Sequence, residues 1–93
     1  MYAQILYKIR DKIRRNEYVL TYHARKEMND DNFSIFDVER GILSGEIIER
    51  QQEKSTTEIK YKIKGKTVDE KHIELICKLS STNKLVIITV YEP

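Results

Sequence analysis

Polar and apolar side chains alternate along several segments in the second half of this chain, as they do in strands that bury one face. In "TEIKYKIK", residues 57–64, the apolar set is Ile59, Tyr61 and Ile63. If every strand buries its more apolar set, the opposite face of the sheet carries Lys60, Lys62, Lys64, His72, Glu74, Lys78, Thr89 and Tyr91. Lysines bind phosphates, histidine titrates near neutral pH, and tyrosine can stack on a base or share a proton. Since RNA supplies its own 2′-hydroxyl nucleophile, such a face has the groups needed to cleave RNA without a cofactor.

The same residues admit a plainer interpretation. Alternating lysines are common on solvated strands, where they discourage edge-to-edge aggregation. His72 at the start of a strand can be structural or merely exposed, and Tyr91 can pack on a neighbouring strand. The strand pattern alone therefore leaves open a solvated face and a phosphate-binding one.

A second candidate lies in "TYHARKE", residues 21–27. Thr21 is a predicted N-cap, so His23 falls in the first turn of a helix, where backbone N–H groups favour a nearby anion. Arg25 and Lys26 flank it. His23 is either a partly buried, hydrogen-bonded residue or a catalytic or phosphate-binding one. Two distant histidines and a single cysteine do not form a metal-ligand set, so neither a metal nor another cofactor is expected.

The elements that position these residues begin with helices. Apolar residues at three- and four-residue spacing predict an amphipathic helix over about residues 2–15, which "NEYVLT" ends. A second short helix follows the Thr21 cap. A third begins at Ser34, which is expected to form a capping box with Asp37, and Gly45 closes it as a C′ glycine.

The period then changes from 3.6 to 2, which predicts four strands at residues 46–52, 57–64, 72–79 and 84–91. Their short polar connections suit hairpins, so consecutive strands should form an antiparallel meander. Alternation puts Ile88 and Val90 on the core face of the last strand, although both of its faces are apolar at its start. The predicted fold is α+β, with about three N-terminal helices followed by a four-stranded antiparallel sheet that the helices cover on one face.

Length and composition predict a single domain over residues 1–93. The 17 basic and 15 acidic residues give a net charge of +2, so any nucleic-acid argument depends on where the charges lie. The lone cysteine, Cys77, lies in an apolar run and is expected to be buried and reduced. No apolar stretch approaches the roughly 20 residues of a membrane span and no signal peptide is evident, so a cytoplasmic location without membrane contact is expected.

Four segments, taken in order, resemble a small bacterial and archaeal family called domain of unknown function 4258. They are "YHARKEM", "IFDVERGILSGEII", "KHIELICKL" and "LVIITVYEP". The resemblance covers about residues 18–93 and leaves the N-terminal helix, residues 1–17, outside. That family is similar to the RelE and MqsR type of toxin, within the barnase, EndoU, colicin and RelE fold of metal-independent ribonucleases. This RelE-like fold implies helices followed by a four-stranded antiparallel sheet, and the family's recurring polar positions fall here on His23, His72, Thr89 and Tyr91.

The resemblance further implies the toxin of a type II toxin-antitoxin system, an endoribonuclease that cleaves messenger RNA, free or on the ribosome. Its partner would be a zinc-finger or helix-turn-helix antitoxin. His23 or His72 would act as general base or acid, and Thr89 and Tyr91 would hold or protonate the phosphate. The residues expected to bind RNA are Arg25, Lys26, Lys60, Lys62, Lys64 and Lys78. The alternatives are a non-catalytic RNA- or protein-binding module with the same basic face, and a small structural domain without a nucleic-acid role.

Overall fold

The computed structural model describes residues 2–93 and arranges them as three helices and five strands. In chain order these are α1 (Ala3–Arg14), β1 (Tyr18–Leu20), α2 (Tyr22–Asp30), α3 (Ile35–Ser44), β2 (Glu46–Gln52), β3 (Ile59–Lys66), β4 (His72–Leu79) and β5 (Leu85–Tyr91). The strand order is β1-β5-β4-β3-β2, with β1 parallel to β5 and every other pair antiparallel. The α+β class is confirmed. The prediction of four strands in a wholly antiparallel sheet is wrong, because the sheet has a fifth strand, β1, which runs parallel to its neighbour.

The additional strand is β1, which lies in the segment expected only to end the first helix. After α1, Asn16 adopts a left-handed backbone conformation with φ 56°, which turns the chain away from the helix axis. Tyr18 then pairs with Leu85, and Leu20 pairs with Ile87. Three residues are too few to show a period of two, and their partner lies at the far end of the chain. The local pattern therefore could not indicate this strand.

The predicted starts of α2 and α3 are confirmed by their caps. The Thr21 hydroxyl accepts a hydrogen bond from the Ala24 N–H at 3.1 Å. Ser34 and Asp37 form the expected capping box, with Asp37 N–H donating to Ser34 Oγ at 3.2 Å and Ser34 N–H donating to Asp37 Oδ2 at 2.9 Å. Within residues 2–93, no helix is long and apolar enough to cross a bilayer.

Gly45 ends α3 as expected. Its φ of −91° and ψ of 177° are extended, so it does not adopt the left-handed conformation that a glycine often has at the end of a helix. Close packing explains the glycine instead, because a Cβ at this position would lie 2.7 Å from the Lys64 carbonyl oxygen. A Cβ on Gly65 would likewise collide with the backbone of Gly41. Helix α3 thus contacts β3 through glycine backbones.

The core lies between the helices and one face of the sheet. The helices contribute Ile9, Ile13, Ala24, Met28, Val38 and Ile42. The strands contribute Tyr61, Ile63, Ile73, Leu75, Cys77, Leu85, Ile87 and Val90. The predicted burial of Tyr61 and Cys77 is confirmed. We call the other side of β2–β5 the open face.

A β-bulge in β5 determines which of its residues reach the open face. Ile87 pairs with Cys77, whereas Thr89 pairs with Ile76, so Ile88 is an extra residue between two consecutive pairs. The bulge shifts the alternation, and Leu85, Ile87 and Val90 are the buried residues. The expectation that Ile88 and Val90 share the core face is therefore wrong, while Thr89 and Tyr91 do lie on the open face.

Candidate functional site

Cross-strand register brings several of the polar residues expected on the open face into adjacent rows. Lys64 lies opposite Glu74, and Glu74 lies opposite Tyr91, so these three form one row across β3, β4 and β5. Lys62 and Thr89 flank Ile76 in the next row. Cross-strand neighbours on one face have side chains within contact distance. The open face therefore groups Lys62, Lys64, Glu74, Thr89 and Tyr91.

Three of these side chains form a hydrogen-bonded group, which we call the Tyr91 cluster: Lys62, Glu74 and Tyr91. The Tyr91 hydroxyl donates to Glu74 Oε1 at 2.6 Å. Lys62 Nζ lies 3.3 Å from the same oxygen and 5.7 Å from the centre of the Tyr91 ring. The Glu74 side chain is 12% exposed and that of Lys62 is 26% exposed, so both charges are partly shielded from water. The Tyr91 hydroxyl donates to Oε1 and not to the second carboxylate oxygen, Oε2.

The cluster holds each member in one protonation state around neutral pH. The Tyr91 hydrogen bond, with help from Lys62, lowers the pKa of Glu74 despite desolvation. The Tyr91 hydroxyl and then Glu74 raise the pKa of Lys62. Burial and the Glu74 hydrogen bond raise the pKa of Tyr91. Glu74 is therefore an anion, Lys62 a cation and Tyr91 a neutral phenol, an arrangement that places a proton acceptor beside a phosphate-binding cation.

The remaining lysines of the open face are less available for phosphate binding than their spacing suggests, because most lie beside carboxylates. Lys78 Nζ contacts Glu58 Oε2 at 2.8 Å, and Lys60 Nζ lies 3.7 Å from Glu58 Oε1. Lys78 is the main reason that the pKa of Glu58 is lowered. From β2, Glu46 lies opposite Lys64 and Glu49 opposite Lys62. The acidic partners are thus interleaved with the lysine row, and the face is close to balanced in charge.

A recess of about 310 Å³ lies where the end of α3 meets β3 and the β3–β4 hairpin. Its lining includes His72 and Lys64 together with Arg40 of α3, and also the carboxylates of Glu46 and Glu70. Neither Lys64 nor Arg40 makes an ion pair with a carboxylate within residues 2–93. Sequence reasoning missed Arg40, because it lies on a helix and no local pattern connects it to the strands.

Helix α2 places the first-turn residues beside β5. His23 Nε2 lies 3.2 Å from Glu27 Oε1, and the His23 side chain is 67% exposed. Successive residues of a helix are rotated by about 100°. Ala24 and Met28 face the core and Glu27 contacts the β5 edge, and His23 lies on the same flank of the helix as Glu27, about 40° further round. It thus flanks β5 on the side opposite Glu74.

The other α2 residues proposed from sequence point elsewhere. Arg25 lines a groove along β1 with Val19 and Met28, on the opposite flank of the helix from His23. Lys26 is exposed to solvent. Neither is brought to the open face. Among residues 2–93, no three His, Cys, Asp or Glu side chains are grouped as a metal site.

Comparison with known proteins gives a family match over most of the chain. The family described as "Domain of unknown function (DUF4258)" matches residues 20–92, which run from the last residue of β1 to the residue after β5. Helix α1 precedes the match. No curated protein and no solved structure matches the chain. The family match spans His23, the Tyr91 cluster and the recess, and the chain belongs to the DUF4258 family.

Proposed function

We propose that this protein is a metal-independent endoribonuclease whose active site is the Tyr91 cluster together with His23. The single observation that carries the proposal is the geometry of Glu74, a partly buried carboxylate held by Tyr91 and Lys62 on an otherwise open surface. His23 lies on the other side of β5 and supplies a second titratable group.

The reaction requires a base, an acid and a cation around one phosphate. In the proposed reaction Glu74 Oε2 removes the proton of the ribose 2′-hydroxyl, and the resulting 2′-oxygen attacks the adjacent phosphorus. The bond between phosphorus and the 5′-oxygen breaks, and protonated His23 donates a proton to that leaving oxygen. Lys62 and the Thr89 hydroxyl stabilise the charge that develops on the phosphate. The products are a 2′,3′-cyclic phosphate and a 5′-hydroxyl end.

His72 and Lys64 have a binding role in this proposal. Both line the recess, as does Arg40, and Lys64 also lies opposite Glu74 of the Tyr91 cluster. Lys64 and Arg40, which make no ion pair within residues 2–93, suit a phosphate that neighbours the cleaved one. His72 also lies two residues from Glu74 on the same strand face, so it remains the alternative acid or base to His23.

The biological role that we propose is that of a RelE-like toxin, active in the cytoplasm and inhibited by a zinc-finger or helix-turn-helix antitoxin. Helices followed by the antiparallel β2–β5 meander support this assignment, because the RelE-like fold has that order. Fold alone does not specify activity, so the proposal depends on the cluster rather than on the architecture.

The decisive experiment measures cleavage of a defined RNA by the purified protein and identifies the new ends. Wild type should yield 2′,3′-cyclic phosphate ends, and 2′-deoxy substitution at the cleaved nucleotide should abolish the reaction. Glu74→Gln and His23→Ala should each lower kcat by about 10²- to 10⁴-fold, the usual contribution of a general acid or base. His72→Ala should mainly raise KM. The exposed Tyr7 provides the control, since Tyr7→Phe should leave cleavage unchanged.

Two outcomes would overturn the proposal. If wild type leaves both free RNA and ribosome-bound RNA intact, the protein is not a ribonuclease. If it cleaves but Glu74→Gln and His23→Ala remain fully active, the site lies elsewhere, and a His72→Ala variant without activity would transfer the acid-base role to the recess.

A non-catalytic binding module is the second candidate, and the charge balance of the open face favours it. Lys60, Lys62 and Lys78 are all paired with Glu58 or Glu74, which reduces the electrostatic attraction for RNA. A protein partner with its own mixed charges would fit such a surface better. This candidate predicts binding to a protein partner without RNA product formation.

A further inference from the structure

The outer edge of β5 is covered by a strand along only part of its length. β1 pairs with Leu85 to Ile87, and the chain then leaves the sheet at Thr21. The Thr21 N–H donates to the Ile87 carbonyl at 3.0 Å, and its hydroxyl donates to the Ile88 carbonyl at 3.2 Å. Beyond this point the edge of β5 faces α2 instead of a strand.

Two carboxylates at the edge of α2 accept the next N–H groups of the β5 edge. Glu27 Oε1 accepts from Val90 N–H at 3.0 Å, and Asp31 Oδ2 accepts from Glu92 N–H at 3.0 Å. Four helical residues advance about 6 Å, and two strand residues advance about 6.6 Å, so the two spacings agree. Tyr91 lies between the two donors, and its side chain reaches Glu74 on the open face.

Glu27 also contacts the histidine of the proposed site. The oxygen that accepts from Val90, Oε1, is the one that lies 3.2 Å from His23 Nε2. A single carboxylate oxygen therefore connects the imidazole to the backbone residue immediately before Tyr91. Carboxylate partners of this kind fix the ring orientation of a histidine and leave its other nitrogen free for chemistry.

We propose that Glu27 is a positioning residue that sets the spacing between the His23 imidazole and the Tyr91–Glu74 pair, with Asp31 holding the end of the strand. This inference rests on the proposed ribonuclease, in which His23 and Glu74 act on one phosphate from opposite sides of β5. A displacement of about 1 Å in such a site can cost about 10²-fold in rate. Glu27 itself touches neither the phosphate nor the reacting oxygens.

The test compares Glu27→Ala with the conservative Glu27→Gln in the full chain. In Glu27→Ala, amide hydrogen exchange at Val90 should accelerate about 10-fold or more, because its N–H loses its acceptor. The nitrogen chemical shifts of the His23 ring should move toward those of a free imidazole. Cleavage should lose about 10- to 100-fold in kcat with little change in KM. The Glu27→Gln amide oxygen still accepts from Val90, so most of the exchange protection should return.

Asp30→Ala is the matched control, since it removes a carboxylate of the same helix that makes no hydrogen bond to β5 among residues 2–93. It should leave all three measurements unchanged. Unchanged Val90 exchange and His23 shifts in Glu27→Ala would overturn the positioning role. The positioning role would also be overturned if the wild type cleaves RNA and Glu27→Ala alters the exchange and the shifts but retains the full kcat. If the wild type has no cleavage activity but exchange and shifts respond as expected, the ribonuclease proposal fails while the structural link stands.

Discussion

Tyr91 and Glu74 stand directly opposite each other on β5 and β4, and the phenol donates a 2.6 Å hydrogen bond to the carboxylate. The bond depends on the bulge at Ile88, because without that extra residue Tyr91 would face the core. Lys62 approaches the same carboxylate oxygen from β3. Three strands thus contribute one side chain each to the Tyr91 cluster.

Removal of the Tyr91 hydroxyl should destabilise the fold measurably. Tyr91→Phe leaves the ring in place but deprives Glu74 of its donor, and hydrogen bonds to charged groups contribute about 1.5–3 kcal/mol. Because Lys62 still pairs with Glu74, we expect a loss of about 1–2 kcal/mol in the free energy of unfolding, measured by urea denaturation. Tyr22→Phe, at a tyrosine that is 85% exposed, should have almost no effect. Equal stability of Tyr91→Phe and wild type would show that the bond is not maintained in solution.

Acid should weaken the wild type more than a Glu74→Gln variant. The Tyr91 hydrogen bond lowers the pKa of Glu74 in the folded state below its ordinary value of 4.5. Its contribution to stability is therefore complete above that value and is lost as the pH falls through the folded pKa. Urea denaturation across this range should give a shallower pH dependence for Glu74→Gln. Glu53→Gln, in the exposed β2–β3 loop, should retain the slope of the wild type, and identical slopes for all three proteins would contradict the assignment.

The elements with strong local signals were predictable, and those set by distant partners were not. The helix starts were predictable at Thr21 and at Ser34 with Asp37, because an N-cap hydrogen bond joins residues only three positions apart in the sequence. The β2–β5 strands show their period over seven or eight residues each. β1 has three residues, and its pairing with β5 spans most of the chain. The Ile88 bulge could not be recognised from the sequence either, because both faces of β5 are apolar at its start and the alternation there gives no register.

The sequence could predict which residues share the face of the candidate site, but not which of them contact one another. Alternation placed Lys62, Glu74 and Tyr91 on one face, yet the register that joins them is set by turn geometry and the bulge. Glu27 was not predicted to have a role, because its partner Val90 is a backbone group with no sequence signature. Arg40 was missed because the recess residues beside it, Lys64 and His72, are distant in the sequence. Tertiary contacts, not residue types, decide which polar side chains act together.

Replacement of Gly65 should be costly even though alanine is a small side chain. Its Cβ would collide with the backbone of Gly41, which cannot rotate away as a side chain can. Overpacking of this kind costs about 1–3 kcal/mol, and we expect Gly65→Ala to lie at the upper end. Lys66→Ala, at the next and exposed position of β3, should change stability by less than about 0.5 kcal/mol. A Gly65→Ala variant as stable as wild type would mean that α3 can move away from β3.

Glu70 should be a site of stabilisation in the β3–β4 hairpin. Four residues of the described chain other than glycine have positive φ, and three of them are asparagines, which tolerate the left-handed conformation; Glu70, with φ 64°, is the exception. Its exposed ion pair with Lys66, at 3.9 Å, contributes little. Glu70→Gly should raise the free energy of unfolding by about 1 kcal/mol. Glu70→Ala retains a Cβ and should not, so similar stability of the two variants would exclude relief of backbone strain.

The lysines of the open face should contribute unequally to RNA binding. Lys60 shares Glu58 with Lys78, whereas Lys64 lines the recess and makes no ion pair among residues 2–93. A lysine must leave its carboxylate before it can contact a phosphate. The free energy of the lost ion pair therefore offsets the free energy gained from the phosphate contact. With a single-stranded RNA and a catalytically inactive Glu74→Gln background, Lys64→Gln should reduce the slope of log affinity against log salt by about 1. Lys60→Gln should reduce it less, because part of the lysine charge is already neutralised. Equal effects of both variants would show that RNA displaces Glu58 without cost, and the phosphate path would then follow the whole lysine row rather than the recess.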